Sequence, residues 1–186
     1  FITSYHTHAD LFSVIYNSRE TQAWIYNNYI QLELPPDNYR LDFYMPFNNL
    51  TDIWHSCPWV NTQEITKEII LKGWKSIVAF IIDCIDSDCY VYLWIDNFYI
   101  SQNTSSYKTH HFIHDMFFYG YNNKERFFNV TEFFNGSRYE YTKVLYTDIE
   151  QAYMSDGRPI VFFDFKKHFY KQYEYKFDIE LMIELI

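Results

Sequence analysis

The stretch HHFIHDMFFYGYNNKERFFNVTEFFNGSRYEY, residues 110–141, decides the reading of the fold. Its apolar and polar residues alternate with the period of strands that have two different faces. Asn122-Asn123-Lys124 and Asn135-Gly136 interrupt the alternation with residues that tolerate positive φ, so the stretch reads as strands joined by two tight turns. Working outward, CYVYLWID (89–96), YEYTKV (139–144) and PIVFFDF (159–165) carry the same β-branched and aromatic bias. The first third of the chain reads differently. Leu11, Phe12 and Ile15 fall at helical spacing, so a short helix over 9–17 is expected just after the irregular segment Ser4-Tyr5-His6-Thr7-His8. A longer helix is expected from Asn61 or Thr62 toward Asp83, carrying Ile65, Ile69, Trp74 and Ile77 inward. Residues 28–34 and 40–45 read as strands around a Pro35-Pro36-Asp37-Asn38 turn, and 147–154 as a short helix capped by Thr147. Helices first and an antiparallel sheet after define an α+β domain.

No repeat or low-complexity tract divides the chain, and 186 residues suit a single domain, 1–186, with one core. A hydrophobic share of 48% against 21% charged excludes an ordinary disordered chain, which lacks the apolar surface to offset ordering entropy. Aromatics reach 23%, implying a thick core and some exposed rings, although an AT-rich coding sequence would produce the same excess. The longest apolar run, Ile77 to Ile82, is far short of the roughly 20 residues that cross a bilayer, so no membrane partner is expected. A net charge of −9 repels phosphate backbones and argues against nucleic acid.

Cys57, Cys84 and Cys89 are odd in number and lack a repeated CxxC spacing, so the expectation is a reduced, cytoplasmic protein without a disulfide framework or zinc knuckle. Four Asn-x-Ser/Thr sequons, at Asn49, Asn103, Asn129 and Asn135, point weakly the other way, toward secretion. The chain opens on Phe1 without a signal-peptide pattern and reads as processed, trimmed or a fragment.

The chemistry-bearing cluster is His110-His111-Phe112-Ile113-His114-Asp115. Alternation puts His114, Met116 and Phe118 on one face and Ile113, Asp115 and Phe117 on the other, so His114 and Asp115 are not expected to pair. A histidine at a strand entry can act as a general base, and a carboxylate on the next strand can fix its tautomer. Glu132 stands on that strand.

These residues carry a resemblance. The run from His110 to Tyr141, preceded by CYVYLWIDNFYI and followed by TDIEQAY, resembles the papain-like domains related to the N-terminal domain of the butirosin-biosynthesis acyltransferase. More distantly it is similar to bacteriocin-processing cysteine peptidases. His114, six residues before Gly120-Tyr121, matches the family's catalytic histidine, and Glu132 falls where its orienting Asp is expected. The resemblance covers residues 85–155 best. It implies a papain-like fold and acyl transfer in peptide natural-product assembly. There a Cys at the N-terminus of the first helix attacks a thioester or peptide carbonyl, His takes the proton and the carboxylate steadies the ring.

The position matching that nucleophile is Tyr5 or His6, where no cysteine stands. Cys57, Ser4 and Thr7 are the candidate replacements, and loss of the nucleophile is the favoured account, which leaves a degenerate domain that binds a peptide or partner as the alternative. A third reading, a secreted or surface binding domain, rests on the sequons. His6, His8, His111 and His114 could converge on a metal, but their spacing lacks the helical i, i+4 pattern, so neither metal nor cofactor is expected. The resemblance implies a carrier-protein thioester as acyl donor, for which Lys166, Lys167, His168 and Lys171 form the only basic cluster. Nothing in the residues speaks to oligomeric state.

Overall fold

The computed structural model describes residues 6–29, 31–34, 42–43, 52–135, 138–155, 160–165 and 174–184. The turn expected at Pro35-Pro36-Asp37-Asn38, most of the strand expected at 40–45, and Gly136 lie outside them. In chain order come α1 (His6–Ile15), a 3-10 turn (Arg19–Thr21), α2 (Gln22–Tyr29), β1 (Leu32–Glu33), β2 (Asp42–Phe43), α3 (Asp52–Ser56), β3 (Val60–Ile65), α4 (Lys67–Gly73) and α5 (Ile77–Asp86). They are followed by β4 (Cys89–Asp96), a second 3-10 turn (Asn97–Tyr99), β5 (Ile113–Asn122), β6 (Phe127–Phe134), β7 (Arg138–Leu145), α6 (Tyr146–Ser155), β8 (Ile160–Phe165) and α7 (Ile179–Glu184). Where the length suggested one core, contacts group the chain into two compact units, Phe1–Val60 with Phe165–Ile186, and Asn61–Asp164. No helix among the described residues is long and apolar enough to cross a membrane.

In the first unit α1 buries Leu11, Phe12 and Ile15, as their spacing required. The helix begins at His6, so His6, Thr7 and His8 are helical and not part of an irregular lead-in. The Trp54 indole N–H donates to the Thr7 carbonyl at 2.9 Å, linking α3 to the first turn of α1. Residues 28 and 29, expected in a strand, end α2 instead. The reason is local: Gln31 Nε2 donates to the Asn27 carbonyl, an acceptor that the helix end leaves open, and Asn28 Nδ2 folds back onto the Trp24 carbonyl one turn earlier. Only Leu32 and Glu33 then pair, with Phe43 and Asp42.

The second unit is built on a six-stranded sheet in the order β3-β8-β4-β5-β6-β7. The β8-β4, β4-β5, β5-β6 and β6-β7 pairs are all antiparallel. The strands expected from alternation are all present to within about a residue, and Asn135 takes the positive φ (59°) expected at the second turn. At the first turn Arg126, not an Asn, holds φ 58°. One face of the sheet presents Val91, Leu93, Ile95, Met116, Phe118, Phe128 and Val130 to a core shared with Ile77, Phe80 and Ile81 of α5 and Ile149 and Tyr153 of α6. The helix α6 starts one residue before Thr147, at Tyr146.

The long helix expected from Asn61 toward Asp83 is replaced by β3, α4 and α5. Two breaks account for this. Thr66 is extended at the start of α4, and past Gly73 the chain leaves the helix so that Ser76, also extended, caps α5 by accepting the Ala79 N–H on its hydroxyl at 3.2 Å. Ile69, expected inward, is 54% exposed, and Ile70 takes its place in the core. The cap and the core give an ordered pair of expectations. Ser76→Ala should lower the unfolding free energy by about 1 kcal/mol, and Leu93→Ala, at the centre of the sheet, by about 2–5 kcal/mol. Urea titrations followed by circular dichroism check both. Equal losses would contradict the assignment of Leu93 to the core.

Candidate functional site

His114 is the second residue of β5, opposite Ile95 of β4. Glu132 lies on β6, one residue beyond the paired positions Phe117 and Thr131, so alternation sets it on the core face with Val130. That register brings the expected pair together: His114 Nδ1 is 3.2 Å from Glu132 Oε1. It also brings in Asp115, whose Oδ1 is 3.0 Å from the same nitrogen. The expectation that His114 and Asp115 do not pair is therefore corrected. Strand side chains lean along the strand direction, and this ring leans toward the next residue, with Nδ1 also 3.3 Å from the Asp115 carbonyl.

Both carboxylates are deeply buried, Glu132 at 1% and Asp115 at 5% exposure. Each has a neutral donor besides the imidazole. Asn97 Nδ2 donates to Glu132 Oε1 at 2.7 Å, and the Tyr92 hydroxyl donates to Asp115 Oδ2. Aromatic rings flank the imidazole: Phe112 stacks on it with centroids 5.5 Å apart and Trp94 meets it edge-on at 6.4 Å. Burial works against a charged ring here, but the hydrogen bonds to Asp115 and Glu132 and the nearness of their charges outweigh it, raising the His114 pKa from 6.5 to about 10. At neutral pH the ring is thereby held in its protonated form. The resting group is an imidazolium, a proton donor, where the sequence suggested a base.

A second carboxylate–imidazole pair lies nearby in sequence. Asp96 ends β4 at 1% exposure and accepts four hydrogen bonds. Its Oδ1 takes the Phe98 and Phe112 N–H groups, and its Oδ2 lies 2.6 Å from His111 Nδ1 and 3.0 Å from the Ser155 hydroxyl. Burial opposes the charge of Asp96, but the bonds from His111, Phe98 and Ser155 prevail and hold its pKa below the ordinary carboxylate value. Ser155 and His111 both contact Asp96 and not each other, so this is no nucleophile–base pair. His111 stacks on Phe98 at 4.5 Å and closes the loop between β4 and β5. The sequence reading missed Asp115, Asn97, Tyr92 and Asp96. Its available signal was the WIDN end of β4, which sets a carboxylate and an amide beside the strand that carries His114.

The other candidates fare differently. Ser4 and Tyr5 lie outside the described residues, as do Asn49 and the basic cluster Lys166, Lys167, His168 and Lys171. Thr7 is buried, its hydroxyl 3.5 Å from His8 Nδ1. His6 is buried on α1 with Nε2 3.3 Å from Asp10 Oδ2, an i, i+4 pair. Of the four histidines weighed as a metal site, His6 lies beside Asp10, His8 beside Thr7, His111 beside Asp96, and His114 beside Asp115 and Glu132. Cys57 does not precede a long helix. It follows α3 at 3% exposure, and burial pushes its thiol up to about 12. Burial raises the Cys84 thiol likewise to about 12, in the core. Neither offers a thiolate at neutral pH. Among the sequons, Asn103 is buried and Asn129 half-buried. Asn135 is exposed, but its Oδ1 accepts the Thr104 hydroxyl and the Ser105 N–H.

Two measurements follow from these environments. The folded pKa of His114 lies above its ordinary value, so its contribution to stability is complete below about pH 6.5 and is lost as pH rises through about 10. A nuclear magnetic resonance titration should show its ring shifts moving near pH 10, and Glu132→Gln should bring the midpoint down; a wild-type midpoint near 6.5 would dismantle the pairing. Alkylation of native protein by iodoacetamide at pH 8 should reach Cys89 and spare Cys57 and Cys84 until urea unfolds the chain. Rapid labelling of Cys57 in the native state would restore it as a nucleophile.

Comparison of the chain with models of known protein families, with curated proteins and with solved structures finds no match.

Proposed function

We propose that the chain is a papain-like domain whose His114 centre promotes acyl transfer from a thioester to a nucleophile that the substrate supplies. The observation that carries this reading is an imidazole on a rigid strand with Nδ1 held by two buried carboxylates. Such a group is fixed in position and set in its proton-bearing form. Its side chain remains 28% exposed, whereas Asp115 and Glu132 are closed off at 6% and 1%. With Nδ1 turned to the carboxylates, proton transfer would use Nε2.

The step balances without a protein nucleophile. An amine nitrogen attacks the thioester carbonyl carbon, forming C–N. The C–S bond then breaks as the departing sulfur takes the Nε2 proton of His114, and the surplus proton on nitrogen returns to the ring. Asp115 and Glu132 stabilise the imidazolium between turnovers, and Asn97 and Tyr92 orient them. A positioned acid of this kind supplies about 10²- to 10⁴-fold.

The second reading, a degenerate domain that binds a peptide, is favoured by one observation: the Cys57 thiol is held protonated by burial. An imidazolium between Phe112 and Trp94 would then serve as a fixed positive contact for a carboxylate, and no bond would form or break.

A panel of acyl thioesters and amines, followed by mass spectrometry on wild type and His114→Ala, tests both. Amide formation is expected in wild type, without a covalent adduct on the protein, and should drop about 10²-fold or more in the variant. The pH profile of the wild type assigns the role. Activity that falls as pH rises through about 10 marks His114 as acid; activity that climbs toward 10 marks it as base. An acyl adduct mapping to Cys57, Ser4 or Thr7 would overturn the substrate-supplied nucleophile. Binding without turnover across the panel would leave the peptide-binding reading in place.

A further inference from the structure

Beside the His114 pair, two buried oxygens lack hydrogen-bond donors. Glu132 Oε2 and Asn97 Oδ1 are each enclosed and unpartnered, in residues at 1% and 0% exposure. They belong to one hydrogen-bonded pair, since Asn97 Nδ2 donates to Glu132 Oε1 at 2.7 Å. That bond fixes the orientation of the amide: turned over, it would set its oxygen against Oε1. Each residue therefore keeps one acceptor that the Nδ2–Oε1 bond does not use. An unpaired acceptor in a buried site costs on the order of 1–3 kcal/mol, and native proteins meet such groups with protein donors or an ordered water.

We infer that Asn97 Oδ1 and Glu132 Oε2 form a preformed site for a single internal water that donates one proton to each. The inference does not depend on acyl transfer. Water fits because the site has two acceptor oxygens and calls for a small molecule with two donors. A cation is disfavoured by its neighbour, for Glu132 Oε1 already lies 3.2 Å from His114 Nδ1, in a ring that carries positive charge. The anchored carboxylate plane then keeps Oε1 on Nδ1, so the water acts on His114 through Glu132.

The test is a crystal structure of the full chain near 1.5 Å resolution, with a second crystal soaked in thallium acetate and read by anomalous scattering. The expected result is one solvent peak about 2.7–3.2 Å from both oxygens, unchanged and without anomalous signal after the soak. Water–protein cross-relaxation in solution should show a matching long-lived contact to the Asn97 side-chain amide. No peak, a peak bonded to only one of the two oxygens, or a thallium signal in its place would each overturn the inference.

Discussion

Three carboxylates, Asp96, Asp115 and Glu132, are buried to 5% exposure or less along β4, β5 and β6. Desolvating a carboxylate costs several kcal/mol unless hydrogen bonds and an opposite charge offset it. Here Asp96 is met by hydrogen bonds from the Phe98 and Phe112 N–H groups, Ser155 and the His111 ring, and Asp115 and Glu132 by Tyr92, Asn97 and the charged His114 ring at the entry of β5. Strand register is thus under a polar constraint as well as an apolar one. A slip of β6 by one residue against β5 would turn Glu132 off its face and take Phe128 and Val130 out of the core in the same movement. Fold and candidate site are secured by the same pairing.

That constraint alters what His114 can do. An orienting carboxylate is usually invoked to make an imidazole a better base, but two of them stabilise the protonated ring enough to make it a poor one at neutral pH. A histidine paired with a low-pKa thiol also rests as an imidazolium, so the environment of His114 suits a cysteine partner. Cys57 and Cys84 are unsuited to that part, since their burial favours the neutral thiol. His114 is held as a proton donor, and the two buried thiols of Cys57 and Cys84 do not supply a thiolate.

How much of this was legible follows from which interactions are local. Alternation in 89–96, 113–122 and 127–134 reports burial on one face of each strand, and the turn residues report where the chain reverses. These signals fixed the strands and, through the hairpin, the meeting of His114 with Glu132. Alternation failed at Asp115 because it describes where Cβ points, while a ring that leans along the strand reaches its own neighbour. It failed at 61–83 because Ile65, Ile69 and Ile77 share a helical spacing that the caps at Thr66 and Ser76 override. Asn97 and Tyr92 were out of reach for a different reason. Their partners stand 35 and 23 residues away, and only the β4–β5–β6 register sets them side by side.

The aromatic excess looked like compositional bias, and the structure separates rings exposed on the sheet from rings gathered around His114. Tyr119 and Tyr141 are among the exposed aromatics, where a bias would place its surplus. Phe112 and Trp94 are different, because they bracket His114 and narrow the approach to it. Phe112 is positioned in turn by Asp96, which accepts its N–H and holds His111 beside it. The loop that closes on Asp96 therefore ends on the ring that stacks on His114, so the second carboxylate–imidazole pair shapes the surroundings of the first without touching it. All of these groups lie within Asn61–Asp164.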